Sequence, residues 1–195
     1  MKIAVMGTGN VGLPLANGLE AVGHDVTTVD SSVPAEQVAA LVADADTVVL
    51  ALPYDAALGL DERVAAALSG KTVIDATNPL ASDYMSLRVG HTTSGGEQVA
   101  AALPGAKVIK AFSSVLAPNH AHATMAEQQL FLPVAGDDEL AKKTVIELAT
   151  ELGFDAVDAG PLSNARYIEP ATELLIQLAY GKGLGTGIGL VLARA

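Results

Sequence analysis

The residues best suited to bind a ligand stand at the start of the chain, in Gly7-Thr8-Gly9-Asn10-Val11-Gly12. The spacing is GxGxxG, and its chemistry is anion binding by the backbone. Gly7 allows a tight turn, Gly9 lets the main chain approach a pyrophosphate, and Gly12 lets a helix pack close to the preceding strand. Free N–H groups at the helix start, with the positive end of its dipole, would hold the phosphates. Glycines recur in many loops, so context decides. Here the apolar run Lys2 to Met6 precedes the motif, and a helical pattern with Val11, Leu15, Leu19 and Val22 on one face follows it. Asp30 closes the next apolar run. An acid in that place accepts hydrogen bonds from the ribose hydroxyls of NAD(H). A 2′-phosphate would meet a like charge there, and Ser31, Ser32, Val33 and Pro34 supply no cation. The serine hydroxyls could still cradle a phosphate. The bland reading of Asp30 is a turn residue ahead of a helix.

Three further segments end apolar runs: Leu50-Ala51-Leu52-Pro53, Asp75-Ala76-Thr77-Asn78-Pro79 and Lys110-Ala111-Phe112-Ser113-Ser114. Open α/β sheets bind ligands at the carboxyl ends of their strands. Leu52, Pro53, Asn78 and Pro79 are therefore expected to line a cofactor, and Ala111, Phe112, Ser113 and Ser114 to border a substrate. Ser113 and Ser114 could hydrogen-bond a carboxamide or carbonyl, but no His–Asp pair supports a serine nucleophile. Asp75 reads more readily as a turn or capping residue than as an acid or base. Lys110 reads as a strand residue whose ammonium snorkels outward. His120 and His122 form the only histidine cluster, and an i, i+2 pair does not share one face of a helix or strand. No metal site and no essential acid or base is expected.

These residues need a frame. Short apolar runs at 2–6, 25–29, 47–51, 71–75, 106–111, 130–135 and 154–158 read as strands buried on both faces. Helical patterns occupy 10–22, 34–43, 55–68, 95–103 and 137–152. Strand–helix alternation predicts a Rossmann-like, doubly wound, mostly parallel α/β sheet. Residues 1–160 would form the dinucleotide-binding domain and 161–195 a helical extension of it, interrupted by Pro170 and the glycines from Gly181 to Gly189. The apolar tail predicts a homodimer. The span 31–46 has room for only one short helix. The short tail disfavours dehydrogenases that carry a catalytic Lys or His in a large helical domain.

The net charge is −11, with 11 basic against 22 acidic residues, which argues against nucleic acid or an anionic membrane as partner. The absence of cysteine excludes disulfides and thiolate chemistry. No apolar stretch approaches the ~20 residues of a membrane helix. A first strand at residue 2 leaves no room for a signal peptide, so a cytoplasmic protein is expected.

The motifs together resemble the family of deazaflavin (coenzyme F420)-dependent NADP oxidoreductases. The resemblance rests on the glycine loop, on Leu50 to Pro53, on Val73 to Leu80, and on Val108 to Phe112. It continues through Val134 to Asp138, Asp158 to Leu162 with Ala165-Arg166, Glu169-Pro170 and Leu178-Ala179-Tyr180. It implies NADP(H) at the glycine loop, a deazaflavin or flavin-like acceptor near Asn78 and residues 111–114, and direct hydride transfer between the two rings. Two departures stand out: Asp30-Ser31-Ser32 replaces the family's serine and basic residue, and Ser113-Ser114 its Asn-Thr. The family's acceptor also carries a polyanionic tail, which a chain of this charge would attract poorly. The leading expectation is a nicotinamide-dependent oxidoreductase acting on a small planar acceptor. The alternative is a non-catalytic NAD(P)-binding redox sensor.

Overall fold

The computed structural model describes residues 1–194. Its centre is a seven-stranded sheet built from β1 (Lys2–Met6), β2 (Asp25–Val29), β3 (Thr47–Leu50), β4 (Thr72–Asp75), β5 (Lys107–Lys110), β8 (Phe131–Gly136) and β9 (Asp155–Asp158). A two-stranded hairpin, β6 (Thr124–Met125) with β7 (Gln128–Gln129), stands apart. The strand order is β2-β1-β3-β4-β5-β8-β9. The first five strands are parallel, β8 runs antiparallel to β5, and β9 is parallel to β8. The order reverses beside β1, which puts the glycine loop at the switch point of a doubly wound sheet.

Alternate residues of each strand feed two cores. Ile3 and Val5 face α1 (Gly12–Ala21) and α6 (Glu139–Glu151), together with Leu132 and Val134. Ala4 and Met6 face α2 (Ala35–Asp44), α4 (Glu62–Ala67) and α5 (Gly95–Ala102), together with Val48 and Val73. Full burial of β3 and near-full burial of β1 match the unbroken apolar runs of their sequences. Asp138 caps α6 by accepting the Ala141 N–H, as the acidic start of that segment requires.

Three expectations are corrected. The single helix over 55–68 is two, α3 (Tyr54–Leu58) and α4, because Gly59 closes the first and the Asp61 carboxylate caps the second by accepting the Arg63 N–H. Pro170 does not break the tail helix α7 (Ala165–Ile176), which runs through it into a π turn at Gln177–Gly181. Beyond that turn the glycine run is irregular rather than helical. It lies beside the sheet edge, where Phe131 N–H donates to the Leu190 carbonyl and a Cβ on Gly189 would come within 2.4 Å of Leu130.

Candidate active site

The glycine loop turns between β1 and α1. Gly7 adopts a φ of +109°, and a Cβ there would lie 2.1 Å from the Ala51 carbonyl oxygen. A Cβ on Gly12 would lie 1.9 Å from the Gly7 carbonyl oxygen. Both glycines are thus fixed by packing. Gly9 differs: a Cβ there would meet nothing within 4 Å. Its freedom from side chain serves the open space above the loop rather than the fold. No side chain caps α1. The Leu13 N–H is taken by the Gly9 carbonyl at 3.1 Å and residue 14 is a proline, so the N–H groups left to an anion are those of the loop and of Gly12.

Asp30 stands exposed at the end of β2. Its Oδ1 accepts bonds from Ser32 N–H at 2.8 Å and from Ser32 Oγ at 2.5 Å. Those bonds hold its carboxyl below the usual value and secure the anionic form.

A cavity of about 860 Å³ opens at the carboxyl ends of β3, β4 and β5. Asn10 and Val11 border it from the glycine loop, and Leu52, Pro53, Tyr54 and Asp55 from the turn into α3. Thr77, Asn78 and Ser113 form its floor, Tyr84, Met85 and Arg88 its far wall, and Thr172, Ile176 and Tyr180 its C-terminal side. The lining is mainly apolar, as in sites that hold flat organic ligands. Arg88 and Asp55, both in the lining, form a direct ion pair at 2.7 Å, with the guanidinium 5.7 Å from the centre of the Tyr54 ring. Three polar atoms of the floor, Thr77 Oγ1, Asn78 Oδ1 and Ser113 Oγ, are buried and without a hydrogen-bond partner. Buried polar atoms are nearly always satisfied, so this group is unusual for a protein interior.

The structure brings Leu52, Pro53, Asn78 and Ser113 to one cavity, as their places at strand ends suggested. Ala111, Phe112 and Ser114 lie beneath it in the packed interior. Phe112 adopts a φ of +65° and meets Phe154 edge-on at 6.0 Å, so its ring serves the core. His120 is buried too, its two ring nitrogens 3.2 and 3.1 Å from the Ala117 and Phe112 carbonyl oxygens, and burial pulls its pKa down. Among the described residues no group of three His, Cys, Asp or Glu side chains is placed to hold a metal ion.

Lys110 requires a correction. Its ammonium does not snorkel to solvent but is completely buried. It lies 3.1 Å from Asp75 Oδ2, 3.0 Å from Glu169 Oε1 and 2.5 Å from the Thr77 carbonyl oxygen. Burial disfavours the charge, yet the two carboxylates outweigh it and raise the pKa above the ordinary lysine value. The one available signal was a charged residue inside an otherwise apolar strand, which demands a buried partner. Arg88 and the tyrosines gave no comparable signal, because their loops are brought to the cavity only by tertiary packing.

The fold and the glycine loop define a doubly wound protein of the NAD(P)-binding class. The family model described as "NADP oxidoreductase coenzyme F420-dependent" matches residues 2–79. The F420-dependent NADP reductase of Methanocaldococcus jannaschii is 36% identical over 155 residues, which cover 74% of this chain and 67% of that protein. The enzyme of the same name from Methanothermobacter marburgensis is 32% identical, over 91% of this chain and 92% of that protein. A crystal structure titled as a putative F420-dependent NADP reductase from Arthrobacter sp. FB24 superposes with a TM-score of 0.89 at 30% identity, covering all of both chains. The chain belongs to the family of coenzyme F420-dependent NADP oxidoreductases. It is an NAD(P)-dependent oxidoreductase.

Proposed function

We propose that this chain transfers a hydride directly between a nicotinamide dinucleotide at the glycine loop and a planar, flavin-like acceptor in the adjoining cavity. The observation that carries the reading is the meeting of three orphaned polar atoms, Thr77 Oγ1, Asn78 Oδ1 and Ser113 Oγ, with an apolar cavity beside that loop. Their chemistry fits the dinucleotide. An amide oxygen and two hydroxyls can accept from and donate to a carboxamide, while the open space over Gly9 fits a pyrophosphate. When bound, the nicotinamide supplies the hydride chemistry. The protein supplies position. Backbone N–H groups from Thr8 to Gly12 hold the phosphates, with the Thr8 and Asn10 side chains at the same turn, while the Gly7 N–H is taken by the Val29 carbonyl at 2.8 Å. Asp30 and Ser31 meet the adenosine ribose, and Leu52, Pro53 and Asn78 flank the nicotinamide ribose, while Pro79, expected there too, is buried with its ring against Gly95. Ser113 orients the ring. Tyr54 and Met85 give the acceptor apolar walls, and Tyr84 stands exposed at the mouth.

No side chain is given an acid or base role, because alignment of two rings at contact distance can account for up to ~7–11 kcal/mol of the barrier. Coenzyme F420, a deazaflavin, is the partner in the relatives' names, and a flavin offers the same ring geometry. A formed cavity favours an enzyme over a redox sensor. Anaerobic stopped-flow mixing with deazaflavin, flavins and small carbonyls, using NADH and NADPH deuterated at the transferred position, tests the reading. Deuterium should appear in the acceptor. Tight nucleotide binding with no transfer to any acceptor would leave the sensor reading instead.

Two finer expectations accompany this reading. Asp30 should favour NAD(H) over NADP(H), and Asp30→Ser should shift the ratio of affinities several-fold toward NADP(H), measured by calorimetry. Tighter NADPH binding by the unmodified protein would mean that Ser31 and Ser32 read the phosphate. The second concerns assembly. Tyr167, Leu174, Tyr180 and Leu184 leave a large apolar surface on the C-terminal segment exposed, and a second copy would cover it. Light scattering should give twice the 19.7 kDa of one chain, and a monomer at micromolar concentration would refute this.

A further inference from the structure

We infer that Lys110 is a positioning residue for the nicotinamide half of the site, acting through the Thr77–Asn78 peptide. The inference rests on the binding mode just proposed. A buried ammonium has three donors, and all three of Lys110 are engaged. Two go to the carboxylates of Asp75 and Glu169, and the third goes to the main-chain oxygen of Thr77. Charge balance alone would not call for that third bond. Asp75 holds the other side of the same residue, its Oδ1 accepting the Thr77 N–H at 3.0 Å. The backbone of Thr77 is therefore gripped at both its N–H and its carbonyl. Asn78 follows directly, and its Nδ2 donates to the Ser113 carbonyl at 3.0 Å. One chain of contacts thus runs from a fully buried cation to the three orphaned atoms of the cavity floor.

The anchor behind this clamp is rigid. Glu169 accepts the N–H groups of Gly95 and Gly96 at 2.8 and 2.9 Å, at the start of α5. A Cβ on Gly96 would come within 3.3 Å of the Lys110 side chain. The lysine stem is therefore walled in on that side and has little room to shift. Lys110 itself never reaches the cavity, so its effect passes through Thr77 and Asn78.

The test must separate position from mere stability. Lys110→Met alone leaves two facing carboxylates in the interior and should fold poorly. The charge-neutral triple variant Lys110→Met, Asp75→Asn, Glu169→Gln removes the whole ion network and should fold, since such networks are often replaced at little cost. Asn at position 75 can still accept the Thr77 N–H, so the lost contact is the one to the Thr77 carbonyl. ADP-ribose, which lacks nicotinamide, should bind the triple variant as it binds the unmodified protein. The added affinity of NADH over ADP-ribose should vanish. Turnover should fall by about 10- to 100-fold, the scale of a misplaced reacting group.

A folded triple variant that keeps both the nicotinamide advantage and its kcat would overturn the inference. Failure of the triple variant to fold would overturn it as well, since the lysine would then serve the fold. Absence of hydride transfer by the unmodified protein would instead refute the proposed reaction, and the ratio of dinucleotide to ADP-ribose affinity would still report on Lys110.

Discussion

Gly9→Val should abolish nucleotide binding while leaving the melting temperature close to that of the unmodified protein. The two halves of this result have separate causes. A Cβ at Gly9 meets nothing within 4 Å and the residue does not need a positive φ, so the folded chain can accept a side chain there. The space it would fill is the space above the glycine loop, where the main chain must approach a pyrophosphate. Loss of even one or two charge-assisted N–H bonds, each contributing about 1.5–3 kcal/mol, weakens binding by tenfold or much more. Gly12→Ala should behave in the opposite way, because its Cβ would stand 1.9 Å from the Gly7 carbonyl oxygen and one of the two elements would have to move. Calorimetry with NADH and NADPH, paired with thermal melts, reads both variants. Normal nucleotide affinity in Gly9→Val would mean that the phosphates are held elsewhere.

That contrast also shows what a sequence can and cannot disclose. The glycine motif, Asp30 and the strand ends are local patterns, visible in the sequence because strand, turn and helix follow one another within a few residues. The central strands β1 and β3 are legible because burial on both faces writes itself as an unbroken apolar run, whereas the edge strands β2 and β9 are largely uncovered and carry polar residues. The break between α3 and α4 was legible in principle from Gly59 and Asp61, but the apolar periodicity of the flanking alanines and leucines masks it. The environment of Lys110 was not legible, since its partners Asp75 and Glu169 come from a neighbouring strand and a distant helix. Nor was the far wall of the cavity, where Tyr84, Met85 and Arg88 arrive on an irregular loop. Phe112 misleads for a different reason. Its position after a strand end suggests a ligand contact, but its positive φ turns the ring into the core beside Phe154. The polar atoms of the floor became visible as a group only once β4 and β5 were paired and the partners of every buried atom were counted.

Glu169→Ala is the substitution expected to cost the fold most, at about 3–5 kcal/mol in urea denaturation. Only 1% of Glu169 is exposed, and its carboxylate serves three buried groups at once: the N–H of Gly95, the N–H of Gly96 and the ammonium of Lys110. Truncation leaves two N–H groups without an acceptor and a buried cation with one carboxylate instead of two. Water has little access to repair either loss. Glu169→Gln should fall between, because the amide keeps one oxygen for a glycine N–H and removes only the charge. The useful comparison is Glu97→Ala, which cuts the other tie between α5 and α7, the pair of Glu97 with Arg166 at 2.6 Å. Those side chains are 23% and 34% exposed, so water replaces the lost partner and the loss should be small. Equal losses in the two alanine variants would show that α7 is held by its apolar contacts and not by the buried carboxylate. A large loss confined to Glu169→Ala would show that one acid on the C-terminal helix, acting through Lys110 and the start of α5, ties that helix to the strand ends that form the cavity floor.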